Sequence, residues 1–279
     1  MVSLDGVRLA LRVGGPRVLL CEFLRRFLGV KYSVDGFVVR DDRVFRLWRK
    51  IRLMGGSIFV KGGFLYVDVG WSVFRAPVKG DLHLWLLGVV AEGIPDMYNY
   101  VRFDGATVLD VGGFMGVSAC FFARAGARRV YAFEPVKMFY DVLIDNVRLN
   151  GFSDVVEVRN YGLWFRNACL PVSITGSDTG LRTGSSVNDC IEVHGIRDVF
   201  SEFGGDDVIV KFDCEGCEYA LLSLDCGTIR RVKTYIVEIH GAYMPLVDKM
   251  RWCGYDATMI HSVNVTGAPV TVWLFTREG

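Results

Sequence analysis

The chain has no glutamine, only 4 histidines, and 8 cysteines that follow no spaced framework. The missing glutamine, together with arginine far outnumbering lysine, is the loss of thermolabile amides seen in thermophiles. At 279 residues the chain is too long for a scaffold built on disulfides. Free or buried thiols are the expectation, although thermophiles do carry intracellular disulfides. Long apolar runs are also missing. The longest, Leu84 to Ala91, has 8 residues, against the roughly 18 of a membrane-span candidate. Glu22, Arg25 and Arg26 interrupt the first apolar stretch, so no secretory leader is expected, and a cytoplasmic protein is. Neither sign of charge dominates: 32 Lys and Arg face 31 Asp and Glu, a net +1. That excludes an overall bias toward nucleic acid or anionic membrane. Internal repeats, low-complexity tracts and long linkers are missing as well.

What is present is apolar and unevenly charged. Hydrophobic residues make up 51% and charged residues 23%, which supports a substantial core and excludes global disorder. Residues 1–100 carry 15 basic against 9 acidic side chains, a net +6, and the remainder 17 against 22, a net −5.

The first part reads as helices and a hairpin. Leu20, Phe23, Leu24, Phe27 and Leu28 fall at helical spacing. Asp41 or Asp42 caps a second helix with an apolar stripe of Val44, Leu47, Trp48 and Ile51, stopped by Gly55-Gly56. "SIFVKGGFLYVDV" predicts a hairpin turning at Gly62-Gly63. Asp81 opens a further helix that ends before Pro95. Residues 1–104 are therefore expected to form a cover on the acceptor side of a domain spanning 105–279.

From residue 106 apolar strands alternate with helical stretches. Strands are predicted at 107–111, 129–133, 155–159, 207–213 and 234–240, and helices at 116–126, 137–150, 216–224 and 243–253. This alternation is that of a parallel sheet covered on both faces. "VTVWLFT" follows Gly267 and Pro269 closely, which predicts an antiparallel last strand. Residues 161–206 are too long for a plain connection and are expected to hold extra strands or a lid.

In such a sheet ligands bind beyond the carboxyl ends of the strands, where the strand order reverses. "VLDVGGFMG" places Asp110, Gly112, Gly113, Phe114 and Gly116 at the end of the first strand. A dinucleotide fingerprint requires glycine where Phe114 stands, so that ligand is disfavoured. Glycine-rich turns also serve ordinary packing. The next strand, "RVYAFEP", carries Glu134 at its end, where a carboxylate can accept both hydroxyls of a ribose, and Pro135 closes it.

With these segments, "DNVRLNG", "VKFDCEGCEYALL" and "IVEIHG" in this order resemble the FkbM-type S-adenosylmethionine-dependent methyltransferases over roughly residues 105–260. The most specific element is Lys211-x-Asp213-x-Glu215-Gly216-x-Glu218. The resemblance implies an α/β fold: the class I methyltransferase (Rossmann-like) sheet of seven strands, mostly parallel with an antiparallel last strand. It implies S-adenosyl-L-methionine as cofactor, held around Asp110, Gly112, Gly113, Phe114, Gly116, Glu134, Pro135, Asn160 and Asp213. It also implies methyl transfer, usually to a hydroxyl of a sugar, lipid or other small molecule. The chain departs from the family where Ala-Asn is usual and Gly113-Phe114 stands, and where Tyr161 to Trp164 replace a small residue after "VEVRN".

An alcohol needs a base or a metal to take its proton. Asp213, Glu215 and His240 are the catalytic candidates, with His240 as a neutral base, since an imidazole of ordinary pKa is largely neutral near pH 7. No metal ligand set is assigned. Lys211 and Glu238 are expected to pair inside the sheet, Glu218 to serve the helix dipole, and Cys214 and Cys217 to be an incidental pair. His194 and His261 are read as isolated. A small-molecule or glycan acceptor is expected. The basic residues Arg40, Arg43, Arg46, Arg49, Lys50 and Arg52 leave RNA as an alternative partner, but no Asn/Asp-Pro-Pro-aromatic motif of base methylation follows the fourth strand. A cofactor-binding module without catalysis is the third reading.

Overall fold

The computed structural model describes residues 14–22, 24–25, 31–34, 37–39, 42–93, 98–171, 173–174, 181–182, 190–265 and 268–277. Two compact units divide between Gly93 and Ile94. Tyr98 and Phe103 pack on Phe122 with ring centroids 5.0 and 4.8 Å apart, so the segment before the first core strand belongs to the second unit.

In the first unit residues 14–22 and 24–25 are helical. Val18 is buried there and Leu20 is exposed, which departs from the expected stripe. Phe23, Phe27 and Leu28 lie outside the described residues. A short hairpin, β1 (Tyr32–Val34) and β2 (Phe37–Val39), precedes α1 (Asp42–Leu53). The helix buries Val44, Phe45, Trp48 and Ile51; Phe45 takes the place expected of Leu47. Arg40 and Asp41 are not described. β3 (Ser57–Lys61) and β4 (Phe64–Asp68) pair antiparallel with Lys61 opposite Phe64, so Gly62 and Gly63 make the predicted turn. Both glycines have positive φ, which suits a tight turn. β5 (Val73–Pro77) extends the sheet to three strands, and α2 (Leu82–Glu92) ends at Gly93 in the left-handed region.

The second unit is built on seven strands: β6 (Thr107–Val111), β7 (Arg129–Phe133), β8 (Val156–Arg159), β14 (Gly205–Phe212), β15 (Val232–His240), β16 (Asp256–Val265) and β17 (Ala268–Thr276). Their spatial order is β16-β17-β15-β14-β6-β7-β8. Every pairing from β8 to β15 is parallel, whereas β17 runs antiparallel to both neighbours. This is the class I methyltransferase sheet expected from the sequence. β6 is fully buried along its length, as a central strand covered on both faces must be.

Helices α3 (Val117–Arg124) and α4 (Lys137–Leu149) follow β6 and β7. Among the described residues, five short strands lie between β8 and β14, β9 (Gly162–Trp164), β10 (Ala168–Pro171), β11 (Ser173–Ile174), β12 (Leu181–Arg182) and β13 (Cys190–Gly195), then α5 (Ile196–Glu202). Beyond β14 come a 3₁₀ turn at Cys217–Ser223, α6 (Cys226–Ile229) and, after β15, α7 (Met244–Trp252).

Two sequence expectations are corrected. The sequence predicts no strand at β16, because at this sheet edge His261, Ser262, Val263 and Asn264 are all exposed and the apolar pattern is weak. The expectation of free thiols fails at six cysteines, which form the disulfides Cys169–Cys190, Cys214–Cys217 and Cys226–Cys253. Two of these span 21 and 27 residues, and folding brings their Cα atoms to 5.4 and 5.0 Å, within bonding range. Among the described residues no helix is long and apolar enough to cross a membrane.

Candidate active site

β6 leads to β7 and β8 on one side, while β14 and β15 lie on the other. The strand order therefore reverses between the carboxyl ends of β6 and β14, the place where open parallel sheets bind their ligands. Gly112 sits at this point with φ +85°, and a Cβ there would overlap the carbonyl oxygen of Asp213. The close approach that demands glycine is thus one strand end against the next. A Cβ on Gly113 would lie 2.8 Å from Leu143 Cδ1, and one on Gly116 3.3 Å from the Leu143 carbonyl. The packing explanation of the glycine turn holds for all three.

The amides of the turn are also engaged inside the protein. Those of Gly112 and Gly113 donate to the Phe133 carbonyl at 3.1 and 2.9 Å, and that of Gly116 to Gly113 at 2.8 Å. Phe114 N–H donates to Glu134 Oε2 at 3.0 Å, and Val136 N–H to Glu134 Oε1 at 2.8 Å. Each oxygen of Glu134 retains a lone pair beyond these bonds, so the carboxylate fits the two hydroxyls of a ribose. Burial pushes its pKa up to about 8, against the opposing pull of the two amides. Asn160 acts one step back: its side-chain amide donates to the carbonyls of Glu134 and Pro135 at 2.9 and 3.2 Å. The ring of Phe114 packs on Phe139 at 4.4 Å, and its backbone is left-handed, φ +45°. Asparagine tolerates that conformation better than phenylalanine, which gives a physical reason for the usual family residue. Tyr161 stacks on His194 with centroids 3.8 Å apart and packs on Phe133 at 5.5 Å. His194 is therefore not isolated. Gly162 lies against Pro135.

Beneath the turn lies a buried ion pair. Lys211 Nζ is 2.9 Å from Asp110 Oδ1, donates to the Gly112 carbonyl at 2.8 Å, and is 3.6 Å from Asp213 Oδ2. Ser118 Oγ donates to Asp110 Oδ2 at 2.7 Å. The expected partner of Lys211, Glu238, is displaced by Asp110, because the register places Lys211 directly beside Asp110 on neighbouring parallel strands. Burial drives the Asp110 carboxyl upward, and Lys211 and Ser118 oppose it. Burial pulls Lys211 down, but Asp110 and Asp213 outweigh it and hold the ammonium charged.

The ends of β14 and β15 are richer in acid than the sequence reading allowed. His240, ending β15, has Nε2 3.4 Å from Glu238 Oε1 and 3.6 Å from Glu215 Oε2, with Nδ1 3.6 Å from Glu218 Oε1. Burial lowers the imidazole pKa, but Glu218, Glu238 and Glu215 outweigh it and raise it to about 11. The expectation of a neutral base is therefore corrected: with these carboxylates around it, the ring is an imidazolium near pH 7. Burial raises the carboxyls of Glu238 and Glu215; neighbouring Asp213 adds to this, and His240 opposes it. Glu218 lies in the first turn of the 3₁₀ segment, as expected, and is also fully buried, accepting from the backbone N–H groups of Gly216 and His240 at 2.8 and 3.1 Å. Asp213, Glu238 and His240 each present a donor atom within 4.8 Å of the others. Sequence reasoning missed Glu238 and Glu218 here. Strand alternation was the available signal for Glu238, which is two residues before His240 and on the same face.

Residues 110–257 match the FkbM methyltransferase domain. A 60-residue stretch, 22% of the chain, is 47% identical to a protein arginine N-methyltransferase of Arabidopsis thaliana. Another of 87 residues, 30% of the chain, is 36% identical to a ribosomal protein arginine N-methyltransferase of Schizosaccharomyces pombe. The chain spans only 15% and 16% of those relatives' lengths. Among solved structures, an S-adenosylmethionine-dependent methyltransferase of Agrobacterium tumefaciens aligns with TM-score 0.48 at 12% identity, over 78% of this chain and 72% of that one. The precorrin-6y C5,15-methyltransferase of Geobacter metallireducens aligns with TM-score 0.44 at 13% identity, over 69% of this chain and 89% of that one. With its sheet order, the carboxylate ending its second core strand and a family match covering more than half its length, the chain belongs to the FkbM methyltransferase domain family.

Proposed function

We propose that the protein methylates a hydroxyl group of a sugar, lipid or other small molecule. The observation that carries this reading is the abutment of two strand ends. The Gly112 turn beside Glu134 touches the Asp213 end of β14, and Asp213 belongs to the Asp213–Glu238–His240 cluster. Glu134, Pro135, Asn160 and the turn at Gly112, Gly113, Phe114 and Gly116 hold the cofactor, with Asp110 and Lys211 fixing the strand ends beneath them. The cofactor supplies an electrophilic methyl group on a sulfonium, whose sulfur leaves with the bonding pair.

The chain's own residues then need only orient the acceptor oxygen and remove its proton. Asp213 positions the hydroxyl. Glu215, with a carboxyl raised by burial, takes the proton as the oxygen–carbon bond forms. His240 stays protonated and holds Glu215, Glu218 and Glu238 together. Methyl transfer from labelled cofactor to fractionated host metabolites and glycans tests the reading. The expected result is label in a methyl ether, with Glu215→Gln slowing turnover by about 10²–10⁴-fold, as for a lost general base. Label recovered only in RNA would overturn it.

A guanidinium acceptor is the second reading, favoured by the density of carboxylates around His240 and by the short similarity to the two arginine methyltransferases. An arginine-rich protein substrate in the same assay separates the two.

A further inference from the structure

We propose that Asp213, Glu238 and His240 form a binding site for one divalent transition-metal ion at the acceptor edge of the sheet. The three side chains come from the ends of two adjacent parallel strands, β14 and β15, and their donor atoms lie within 4.8 Å of one another. Donors on opposite sides of a bound ion are separated by roughly 4 Å, twice a metal–ligand distance of about 2.0–2.2 Å, so a small side-chain shift closes the set. Two carboxylates and an imidazole favour manganese or zinc; an all-oxygen set would favour magnesium or calcium.

The other side of the histidine ring supplies an independent observation. His240 Nδ1 is buried without a hydrogen bond and faces Glu218 Oε1 at 3.6 Å. Glu218 is itself fully buried and locked by two backbone donors. A histidine bound to a metal through one nitrogen almost always directs the other N–H at a carboxylate, which fixes tautomer and ring orientation. Glu218 is placed for that role; Nε2, 3.4 Å from Glu238, gives up its proton when the ion takes it, so that the imidazolium of the unbound site becomes a neutral ligand. Lys211, 3.6 Å from Asp213 Oδ2, is already paired with Asp110. It does not neutralise the two carboxylate ligands.

Three protein ligands leave open positions on the ion. The chemistry of the site rests on the hydroxyl-methylation reading: an acceptor oxygen bound at an open position would lose its proton more readily. Glu215, outside the ligand set but 3.6 Å from His240 Nε2, would receive that proton.

The test uses the full chain, stripped with a chelator and titrated with Mn²⁺ alone. Loss of the free-ion paramagnetic resonance signal should show one ion bound per chain. Glu238→Gln, which keeps side-chain size, and His240→Ala should each weaken binding at least 100-fold. Glu218→Gln, a positioning change, should weaken it about 10–100-fold. All three variants should bind S-adenosylhomocysteine as the parent does, which reports folding. Mn²⁺ that stays free, or binds the parent and Glu238→Gln equally, overturns the site. Methyl transfer to a hydroxyl that survives chelation without Mn²⁺ binding would remove the metal and leave the function. One bound Mn²⁺ without transfer to any hydroxyl would do the reverse.

Discussion

Two turns meet where the strand order reverses, and they are built on opposite principles. The turn after β6, residues 112–116, is shaped by the absence of side chains. The turn after β14, residues 213–218, is crowded with them: Asp213, Glu215 and Glu218 in six positions. Yet both share one backbone feature. Among the described residues the two non-glycine residues with positive φ are Phe114, at +45°, and Glu215, at +57°, one in each turn. A left-handed conformation costs a residue with a side chain about 1–2 kcal/mol, so both turns are held by their surroundings. In the first the surroundings are packing and backbone hydrogen bonds, and in the second a set of charges together with the Cys214–Cys217 disulfide that brackets Glu215. Glycine patterns are therefore weak evidence of a ligand here, because strand ends that must touch require them anyway. Charges gathered from separate strands are stronger evidence, since packing alone would exclude them.

The largest expected effect lies where the two turns are joined. Lys211→Met leaves Asp110, fully buried, without its counter-charge. Breaking such a pair from one side should cost about 3–5 kcal/mol, measured as a shift in the denaturation midpoint. A loss below about 1 kcal/mol would show that the turns stand independently.

The next effect separates the cofactor side by pH. Glu134 has a folded pKa of about 8, above its ordinary value of 4.5. The folded state therefore binds the proton more tightly than the unfolded state does. The associated stability is fully present below pH 4.5 and is lost as pH rises through about 8. Ribose binding has the opposite sign, because the ionised carboxylate is the better double acceptor. S-adenosylhomocysteine affinity should rise between pH 7 and 9 in the parent and lose that component in Glu134→Gln, which should also bind about 1–3 kcal/mol more weakly. Calorimetry at three pH values checks both. An unchanged pH profile in the variant would place the titrating group elsewhere.

The smallest effect is the sharpest contrast. Phe114→Gly and Glu215→Gly relieve the same backbone strain, but Phe114 also packs against Phe139 at 4.4 Å. Losing that ring should lower stability by about 1–2 kcal/mol. Glu215 lies at the rim, so its glycine variant should gain about 0.5 kcal/mol, strain relief slightly exceeding the added unfolded-state entropy. Thermal denaturation of the pair resolves the sign. Two losses of equal size would mean that the second turn is held by packing as well.

Much of this was legible in the sequence. The strands predicted at 107–111 and 129–133 coincide with β6 and β7, because continuous apolar runs ending in glycine or acid leave little choice of period. The Gly62-Gly63 hairpin was legible for a similar reason: the turn chemistry is local. β16 was not, since an edge strand with solvent on its outer side needs no apolar pattern. Nor were the partners of Cys169 and Cys226, which lie 21 and 27 residues away.

By itself, then, the sequence determined the alternation of the core strands β6, β7, β8, β14 and β15 with helical segments, the antiparallel last strand and the position of Glu134, all of which depend on hydrophobic period and neighbouring residues. The tertiary structure alone decided that Lys211 faces Asp110 and not Glu238. It also decided that His240 carries a proton among three carboxylates. The reason is physical. A charge's state depends on distances of about 3 to 4 Å between side chains from different strands, and those distances are set by sheet register and order, which no single stretch of sequence contains.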